Sequence, residues 1–340
     1  MTWKIYIPDG EQDILAEECY MKRTMENAMN TVFRHCGFRE IATPSMEFFD
    51  SFSGQRDIIP EENMIKFVDE QGRILVLKPD LTVPCARVAA TKLKDCRPLR
   101  LCYCQNTFRS KKDRYLDLKE ITQAGCEIIG IDEPDADAEI IATAIKTLKA
   151  AGLTAFTVEI GQVNYFKGLM NDTDLPFREK DRLRHLIEKK DFLGLEKQVT
   201  ALGIDGDLKT ALIELPALYG STEILTKISG YQLTGKAKAA VENLVAVVDI
   251  LKKEGYEQYL AIDLGMVSAL SYYTGMIFQG FVSGYGTPIL SGGRYDHLVE
   301  KFGEPDCATG FSVNVNFIMD ILKTNGIPEA FKEEDQGWNF

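Results

Sequence analysis

Histidine is scarce in this sequence, and its cysteines are not clustered. The chain has three histidines and eight scattered cysteines, of which only Cys102 and Cys104 lie close together. A zinc site needs Cys and His ligands at short, regular spacings. Scattered cysteines are instead typical of reduced, mostly buried thiols in an intracellular protein. We therefore expect neither a metal site nor a disulfide framework, and we predict no cofactor.

Long apolar runs and an excess of positive charge are also absent. No apolar stretch approaches the roughly 18 residues of a membrane-spanning helix, and the first ten residues lack the pattern of a signal peptide. The formal net charge is −12, and an acidic surface repels the phosphates of nucleic acid. We expect a cytoplasmic protein that contacts no membrane, and the overall charge argues against nucleic acid as a partner.

The hydrophobic pattern predicts an α+β fold, with an antiparallel sheet flanked by helices. Residues 176–255 form a run of short amphipathic helices without a convincing strand, and they read as a helical insertion. The predicted division is a core over 1–175, the insertion over 176–255, the rest of the core over 256–325 and a polar tail over 326–340. The predicted strands are 74–77, 99–109, 121–130 and 156–161, and the predicted helices are 11–36 with Asp9 as N-cap, 84–92, 134–151 and 317–324.

The stretch from Tyr259 to Asp296 alternates apolar runs with glycines, which is typical of strands joined by turns. Tyr272 and Tyr273 stand where one of these strands begins. Since successive side chains of a strand point to opposite faces, at most one of the two is expected to pack into the core side. The other can line whatever lies over the sheet, although an ordinary sheet without a site has the same pattern.

Polar residues at strand ends, or alternating with apolar ones, form a candidate ligand site. On the strand over 121–130, Gln123, Gly125 and Glu127 share one face, and the glycine is expected to leave room for a ligand. Carboxylates suit an ammonium or imidazole group, and an arginine suits a carboxylate. The set therefore has the groups that an amino acid needs, but a salt-bridged sheet face without a ligand is the alternative. The candidate residues are Asp80, Thr82, Arg109, Gln123, Glu127, Tyr272 and Tyr273.

A charged loop, SKKDRYLDLKE, joins the strands over 99–109 and 121–130. A hairpin tip of this kind is either a solvated turn or a clamp over an anionic ligand. The sequence alone leaves both possibilities open.

Five motifs in order resemble the class II aminoacyl-tRNA synthetases, and more specifically the histidyl enzyme, over residues 8–325. They are GFREIATPSME, LKPDLT, the segment from Phe108–Arg109 through the hairpin to QAGCEIIG, DLGMVSALSYYTG, and SGGRYDHLVEKFG followed by ATGF. The resemblance implies a six-stranded antiparallel sheet with flanking helices. It also implies a two-fold dimer with the TPSME region near its interface, and a histidine pocket formed by the candidate residues.

The sequence departs from the synthetase pattern where the family binds ATP. Lys111 stands in place of an acidic residue, and Asp117 and Ser268 stand in place of arginines. Phe317 replaces the arginine of the third motif, which contacts adenine in the family. Loss of guanidinium groups that face phosphate and nucleobase removes charge stabilisation of several kcal/mol from the transition state, so adenylate formation is expected to be lost.

A histidyl-synthetase core without these arginines, and without the anticodon-binding domain that follows it in synthetases, resembles the regulatory subunits of ATP phosphoribosyltransferase. The resemblance implies a non-catalytic subunit that activates the short-form catalytic subunit in the first step of histidine biosynthesis. It further implies a homodimer within a hetero-octamer, L-histidine as feedback effector and no tRNA partner. Two alternatives stay open: a stand-alone enzyme that activates an amino acid for a non-tRNA acceptor, and a structural scaffold with a vestigial pocket.

Overall fold

Twelve strands form two sheets in the computed structural model of the chain, which describes residues 5–53, 59–110, 116–171, 173–267 and 272–332. The strands are β1 (Arg39–Glu40), β2 (Met46–Phe48), β3 (Lys66–Val68), β4 (Ile74–Leu77), β5 (Leu99–Phe108), β6 (Glu120–Ile129), β7 (Thr157–Gln162), β8 (Tyr219–Gly220), β9 (Leu260–Asp263), β10 (Met276–Phe281), β11 (Leu290–Arg294) and β12 (Ala308–Asn314).

The larger sheet has nine strands in the order β1-β5-β6-β12-β11-β10-β7-β9-β8. Its six central strands, from β5 to β7 in that order, are antiparallel throughout. Strand β1 adds in parallel to β5, and β9 adds in parallel to β7. The predicted six-stranded antiparallel core is therefore confirmed, and the additional edge strands make the whole sheet mixed.

The helices of the described residues agree with the apolar periodicity of the sequence. Helix α1 begins at Ala16 instead of Glu11, and its N-cap is Leu15 without a side-chain capping bond, so the prediction of Asp9 as N-cap is wrong. It ends as predicted before Gly37, whose φ of +83° favours glycine. The helices are α1 (Ala16–His35), α2 (Thr82–Thr91), α3 (Pro134–Ala150), α4 (Val163–Asn171), α5 (Phe177–Glu188), α6 (Phe192–Ala201), α7 (Gly206–Glu214), α8 (Ile224–Ser229), α9 (Gly235–Lys253) and α10 (Val315–Asn325).

The two faces of the nine-stranded sheet are covered differently. One face carries the main hydrophobic cluster, in which Ala124, Cys126 and Phe311 pack with residues of α1, α3 and α10. A smaller cluster lies on the opposite face at the β5 side, where Leu101 and Tyr103 pack with residues of α2. The middle of this second face is left open beside the smaller cluster, and it is where a ligand can approach.

Residues 176–255 hold helices α5 to α9 and also one short strand. Strand β8 pairs antiparallel with β9, so the expectation that this region has no strand is wrong, because two residues are too short to show a periodicity. The hydrophobic side chains of α9 belong to the same cluster as those of α3 and α4. The insertion boundaries at 176 and 255 stay a prediction.

The smaller sheet, in the order β2-β4-β3, has one apolar face that the described residues leave largely uncovered, apart from the Arg73 guanidinium 4.9 Å from the centre of the Phe48 ring. Register places Met46 opposite Leu77, and Leu75 between Phe48 and Phe67. Met46 and Phe48 are 56% and 45% exposed, and the other three are only partly buried. Contiguous exposed apolar residues of this kind mark interaction surfaces.

Within the described residues, no helix is both long and apolar enough to cross a membrane. No group of three or more His, Cys, Asp or Glu side chains in that part of the chain is arranged to hold a metal ion. All eight cysteines are unpaired, but only Cys85, Cys102 and Cys126 are buried, so the expectation of mostly buried thiols is wrong. The predicted polar tail falls largely on residues 333–340, outside the described residues.

A buried ion pair ties β11 to α3. The Arg294 guanidinium donates to Asp137 at 3.1 Å, and the two side chains are only 7% and 1% exposed. The same guanidinium lies 3.5 Å from Asp296. Removing one partner of a buried pair leaves the other charge uncompensated, which costs more than the pair itself contributes.

Replacing Arg294 by methionine is therefore expected to lower the free energy of unfolding by about 3–5 kcal/mol, measured by denaturant titration. Arg100→Met is the matched control, because Arg100 pairs with Glu139 of the same helix at 2.9 Å but both side chains are about one third exposed. The control is expected to cost less than about 1 kcal/mol. Equal losses in the two variants would contradict a special contribution of the buried pair.

Candidate functional site

A cavity of about 280 Å³ lies over the middle of the open sheet face, between β6, β12, β11, the start of α2 and the segment before β10. Six of the seven residues predicted from the sequence line it. They are Asp80, Thr82, Arg109, Gln123, Tyr272 and Tyr273. Tertiary structure thus brings together residues from four separate parts of the chain.

The seventh predicted residue, Glu127, lies beneath the cavity and does not line it. Its carboxylate is fully buried and accepts hydrogen bonds from the hydroxyls of Tyr103, at 2.9 Å, and Tyr295. Burial raises the pKa of Glu127 to about 8, although the hydroxyls of Tyr295, Tyr103 and Thr82 oppose the shift. Tyr295 does line the cavity, so Glu127 acts on the cavity through that phenol.

Tyr272 and Tyr273 precede β10 and are not part of the strand. Both side chains line the cavity, and their rings meet edge to face at 4.9 Å between centroids. Tyr272 also stacks on Tyr295 at 5.6 Å. Only Tyr272 also packs against the smaller cluster, so the prediction that at most one of the pair lies on the core side holds. The prediction that the pair begins a strand is wrong, because β10 starts at Met276.

Asp80 and Thr82 stand at the N-terminal end of α2. Asp80 Oδ1 accepts a hydrogen bond from the Val83 N–H at 2.9 Å, which fixes the carboxylate at the cavity wall. Burial raises the pKa of Asp80, and this hydrogen bond and then the charge of Arg109 oppose the shift. The carboxylate is therefore held in place but remains partly uncompensated.

Two buried polar atoms at the cavity have no partner among the described residues, namely Arg109 Nε and Gln123 Oε1. Buried polar groups are nearly always hydrogen-bonded in folded proteins. An unpaired donor and an unpaired acceptor on the lining residues of one cavity indicate a ligand that carries both kinds of group.

Glycines shape the cavity floor through close approach. A Cβ at Gly125 would stand 2.2 Å from the Phe311 carbonyl oxygen and 2.8 Å from the Tyr103 hydroxyl. The expectation that Gly125 makes room for a ligand is therefore wrong, since Tyr103 and strand β12 occupy that space. Gly310 lies directly opposite Glu127, and a side chain there would collide with the buried carboxylate.

Several lining residues were not predicted from the sequence. Tyr295 is one of them. Tyr103 does not line the cavity, but with Tyr295 it holds Glu127 and was also not predicted. Tyr295 stands in the quoted SGGRYD motif, which could have indicated it. Tyr103 could not be found, because its position opposite Gly125 depends on strand register. The other lining residues not predicted as ligand contacts include Thr287, Ser291, Ser312 and Asn314.

The positions where the sequence departs from the synthetases are only partly described. Lys111 and Ser268 lie outside the described residues, as do residues 112–115 of the hairpin loop, so the clamp and the solvated tip are not distinguished. Phe317 lines the cavity and contacts Tyr285 edge to face at 5.7 Å. Asp117 is exposed at the base of the hairpin. Arg109 is the only arginine or lysine among the described lining residues.

The arrangement can bind an amino acid but offers little for chemistry on phosphate. Carboxylate, hydroxyl and amide oxygens suit an ammonium group, the guanidinium suits a carboxylate, and the tyrosines form walls for a planar ring. A single cation gives weak stabilisation to a reaction that develops charge on phosphate oxygens.

Comparison with known proteins identifies the family. A sequence profile of the histidyl-tRNA synthetase family matches residues 10–318. The chain is 51% identical over 321 residues to the ATP phosphoribosyltransferase regulatory subunit of Acetivibrio thermocellus, covering 94% of this chain and 77% of that protein. It is 44% identical over 325 residues to the protein of the same name from Ruminiclostridium cellulolyticum, covering 95% and 78%.

Solved structures agree. A crystal structure of an ATP phosphoribosyltransferase regulatory subunit/histidyl-tRNA synthetase from Bacillus halodurans superposes with a TM-score of 0.87 at 34% identity, covering 95% of this chain and 84% of that one. Histidyl-tRNA synthetase from Nostoc sp. shares the fold, with a TM-score of 0.79 at 22% identity, 96% of this chain and 77% of that one being covered. The chain therefore belongs to the family of ATP phosphoribosyltransferase regulatory subunits, which share the histidyl-tRNA synthetase fold.

Proposed function

We propose that this chain activates a short-form ATP phosphoribosyltransferase catalytic subunit in the cytoplasm and confers feedback inhibition by L-histidine. The observation that carries the proposal is the cavity with an unpaired guanidinium Nε of Arg109 and an unpaired amide oxygen of Gln123. These groups fit an amino acid, and histidine is the end product of the pathway that begins with the family's enzyme.

We propose one orientation for histidine in the cavity. Its ammonium group lies between Asp80, Thr82 and Gln123, and its carboxylate faces Arg109. The imidazole ring then stands between the tyrosines and can hydrogen-bond the hydroxyl of Tyr295. Because Tyr295 donates its proton to Glu127, its oxygen is free to accept from an imidazole N–H.

Amino-acid activation is expected to be absent. Adenylation needs cations around the α-phosphate and the reacting carboxylate, and among the described residues the cavity supplies only Arg109. The apolar ring of Phe317 lines the region that the resemblance assigns to adenine. Exchange of pyrophosphate into ATP that depends on histidine would favour the alternative of a stand-alone enzyme.

Regulation then rests on differential binding. Histidine can inhibit only if it binds the inactive quaternary state more tightly than the active one, and coupling of about 1–3 kcal/mol is typical. We propose that this coupling operates within a hetero-octamer, without tRNA, and that residues 176–255 are an insertion into the synthetase-like core.

Asp80→Asn tests the site within the reconstituted complex. The variant keeps the oxygen that accepts from Val83 but loses the charge that faces the ammonium, so the histidine concentration for half-inhibition should rise roughly 10- to 100-fold. Steady-state assays of the complex measure this value, and co-purification with the catalytic subunit shows that the variant is folded.

Asp135→Asn is the matched control, because Asp135 is an exposed carboxylate in the first turn of α3. Its inhibition should equal that of the unchanged chain. Normal inhibition of the Asp80→Asn complex would favour the vestigial-pocket scaffold, and failure of the unchanged chain to activate the catalytic subunit would overturn the proposed function.

The pH dependence of histidine binding should report Glu127. Its pKa of about 8 lies above the imidazole pKa of about 6.5. Between these two pH values, free Glu127 is protonated and the ring of free histidine is neutral, so the two partners together carry one proton. The complex is proposed to hold one proton as well, so binding in this range neither takes up nor releases one. Above pH 8 free Glu127 is ionised, a proton must be taken up, and affinity should fall about tenfold per pH unit.

The Glu127→Gln variant has no carboxylate at this position, so its binding of histidine above pH 8 takes up no proton. The ratio of unchanged-chain affinity to variant affinity, measured by calorimetry from pH 6 to 9, should be constant below pH 8 and fall above it. Taking the ratio cancels deprotonation of the ligand's own ammonium group, which affects both proteins equally. A ratio that does not change above pH 8 would contradict the proton coupling.

We also propose that the apolar face of the β2-β4-β3 sheet is the contact of a homodimer. The face presents Met46, Phe48, Phe67, Leu75 and Leu77, none of them fully buried by the described residues. Its strand β2 begins within the TPSME motif, which the resemblance places near the dimer interface.

Phe48→Glu should convert the dimer into a monomer in light-scattering measurements, since burying a charge in an apolar contact costs several kcal/mol. Phe177→Glu is the control, because Phe177 is 83% exposed on helix α5, away from this face. Equal masses for the two variants would argue against this face as the contact.

A further inference from the structure

A second cavity, of about 270 Å³, lies beside the residues that follow the two pocket tyrosines. Thr274 and Gly275 form one wall, and the first turns of α9 form another, with Lys236 and Asn243 at the cavity. The end of β11 contributes Arg294. This cavity is separate from the proposed histidine pocket but shares a continuous backbone segment, 272–275, with it.

The second cavity has unpaired polar atoms of both kinds. Arg294 is 5% exposed, and its Nη2 has no partner among the described residues although its other nitrogens bind acidic side chains. Asn164 Oδ1 is likewise buried and unpaired. A lone donor and a lone acceptor on the residues of one cavity also occur in the proposed histidine pocket, and a ligand with both functions would satisfy them.

Charge is divided across the cavity. Lys236 is exposed and makes no ion pair or hydrogen bond with a described residue. Burial of Lys167 lowers the pKa of that residue to about 8, and the nearby charge of Lys236 adds to the shift. The other side carries Asp132 and Asp296, which share Arg294 with the buried Asp137. A cationic corner facing an acidic side matches a molecule that carries both charges.

Hydrogen bonds connect this cavity to the tyrosines. Asn164 Nδ2 donates to the Thr274 carbonyl at 2.6 Å, and the Thr274 hydroxyl donates to Asp296 at 2.6 Å. Lys167 Nζ donates to the Tyr273 carbonyl at 2.9 Å. Movement of any of these side chains therefore displaces the segment that holds Tyr272 and Tyr273 against the first cavity.

We propose that the second cavity binds a small zwitterion of the amino-acid class and that its occupancy changes histidine affinity through the segment 272–275. The ligand's carboxylate lies at Lys236 and Arg294 Nη2, and its ammonium lies between Asn164 Oδ1 and the carboxylates of Asp132 and Asp296. This inference goes beyond the proposed function, because it adds a second effector to the same subunit.

The test is calorimetric titration of the full chain with each protein amino acid other than histidine, with and without saturating histidine. At least one amino acid should bind, and its presence should change histidine affinity by about fivefold or more. Lys236→Ala should weaken the amino acid roughly tenfold by removing a charge-assisted bond, and Ala239→Leu should block the cavity, since Ala239 is exposed on its wall.

Lys238→Ala is the matched control, because Lys238 lies in the same turn of α9 and pairs only with Glu242 on the surface. It should bind like the unchanged chain. The inference is overturned if no amino acid binds, if Lys236→Ala and Lys238→Ala behave alike, or if histidine affinity is the same with and without the amino acid. Histidine titrated alone reports separately on the first pocket and on folding of each variant.

Discussion

The carboxylate of Glu127, buried in the middle of the sheet, is the constraint around which the site is arranged. A carboxyl group removed from water needs hydrogen bonds, and the raised pKa of Glu127 is the measure of how costly its charged form is. The hydroxyls of Tyr103 and Tyr295 supply those bonds, and Gly310 leaves space for the carboxyl group. Tyr272 then stacks on Tyr295, so the wall of the cavity depends on the buried acid.

The described lining residues of this cavity suit the binding of an amino acid better than its adenylation. The lining residues carry atoms suited to an amino acid, among them a guanidinium nitrogen of Arg109 and an amide oxygen of Gln123 that have no partner in the described part of the chain. The aromatic ring of Phe317 stands at the wall where a synthetase is expected to carry a cation. A fold that can hold a metabolite without reacting with it is suited to sensing, because any difference in binding energy between two quaternary states shifts the equilibrium between them.

The segment from Tyr272 to Gly275 connects the two cavities. The Tyr273 and Thr274 carbonyls accept hydrogen bonds from the side chains of Lys167 and Asn164. Backbone bonds also hold the segment, since the Thr274 N–H donates to the Arg294 carbonyl and the Gly275 carbonyl accepts from the Val163 N–H. The two side-chain bonds depend on the position of helix α4, which carries Asn164 and Lys167. The segment also depends on Asp296, which accepts from the Thr274 hydroxyl and lies beside Arg294. The pocket therefore has a wall whose position other parts of the subunit can alter.

The sequence by itself determined the order and type of the main helices and strands, because apolar periodicity follows from which face is buried. It also identified six lining residues, since strand ends and alternation on the strand over 121–130 restrict where polar side chains can point. It could not determine that Tyr103 lies across from Gly125, that Glu127 lies below the cavity floor, or that Tyr272 and Tyr273 face the same space. Those facts depend on strand register and on an irregular segment between elements, and only the tertiary structure decides them, because contacts between residues distant in the chain set both.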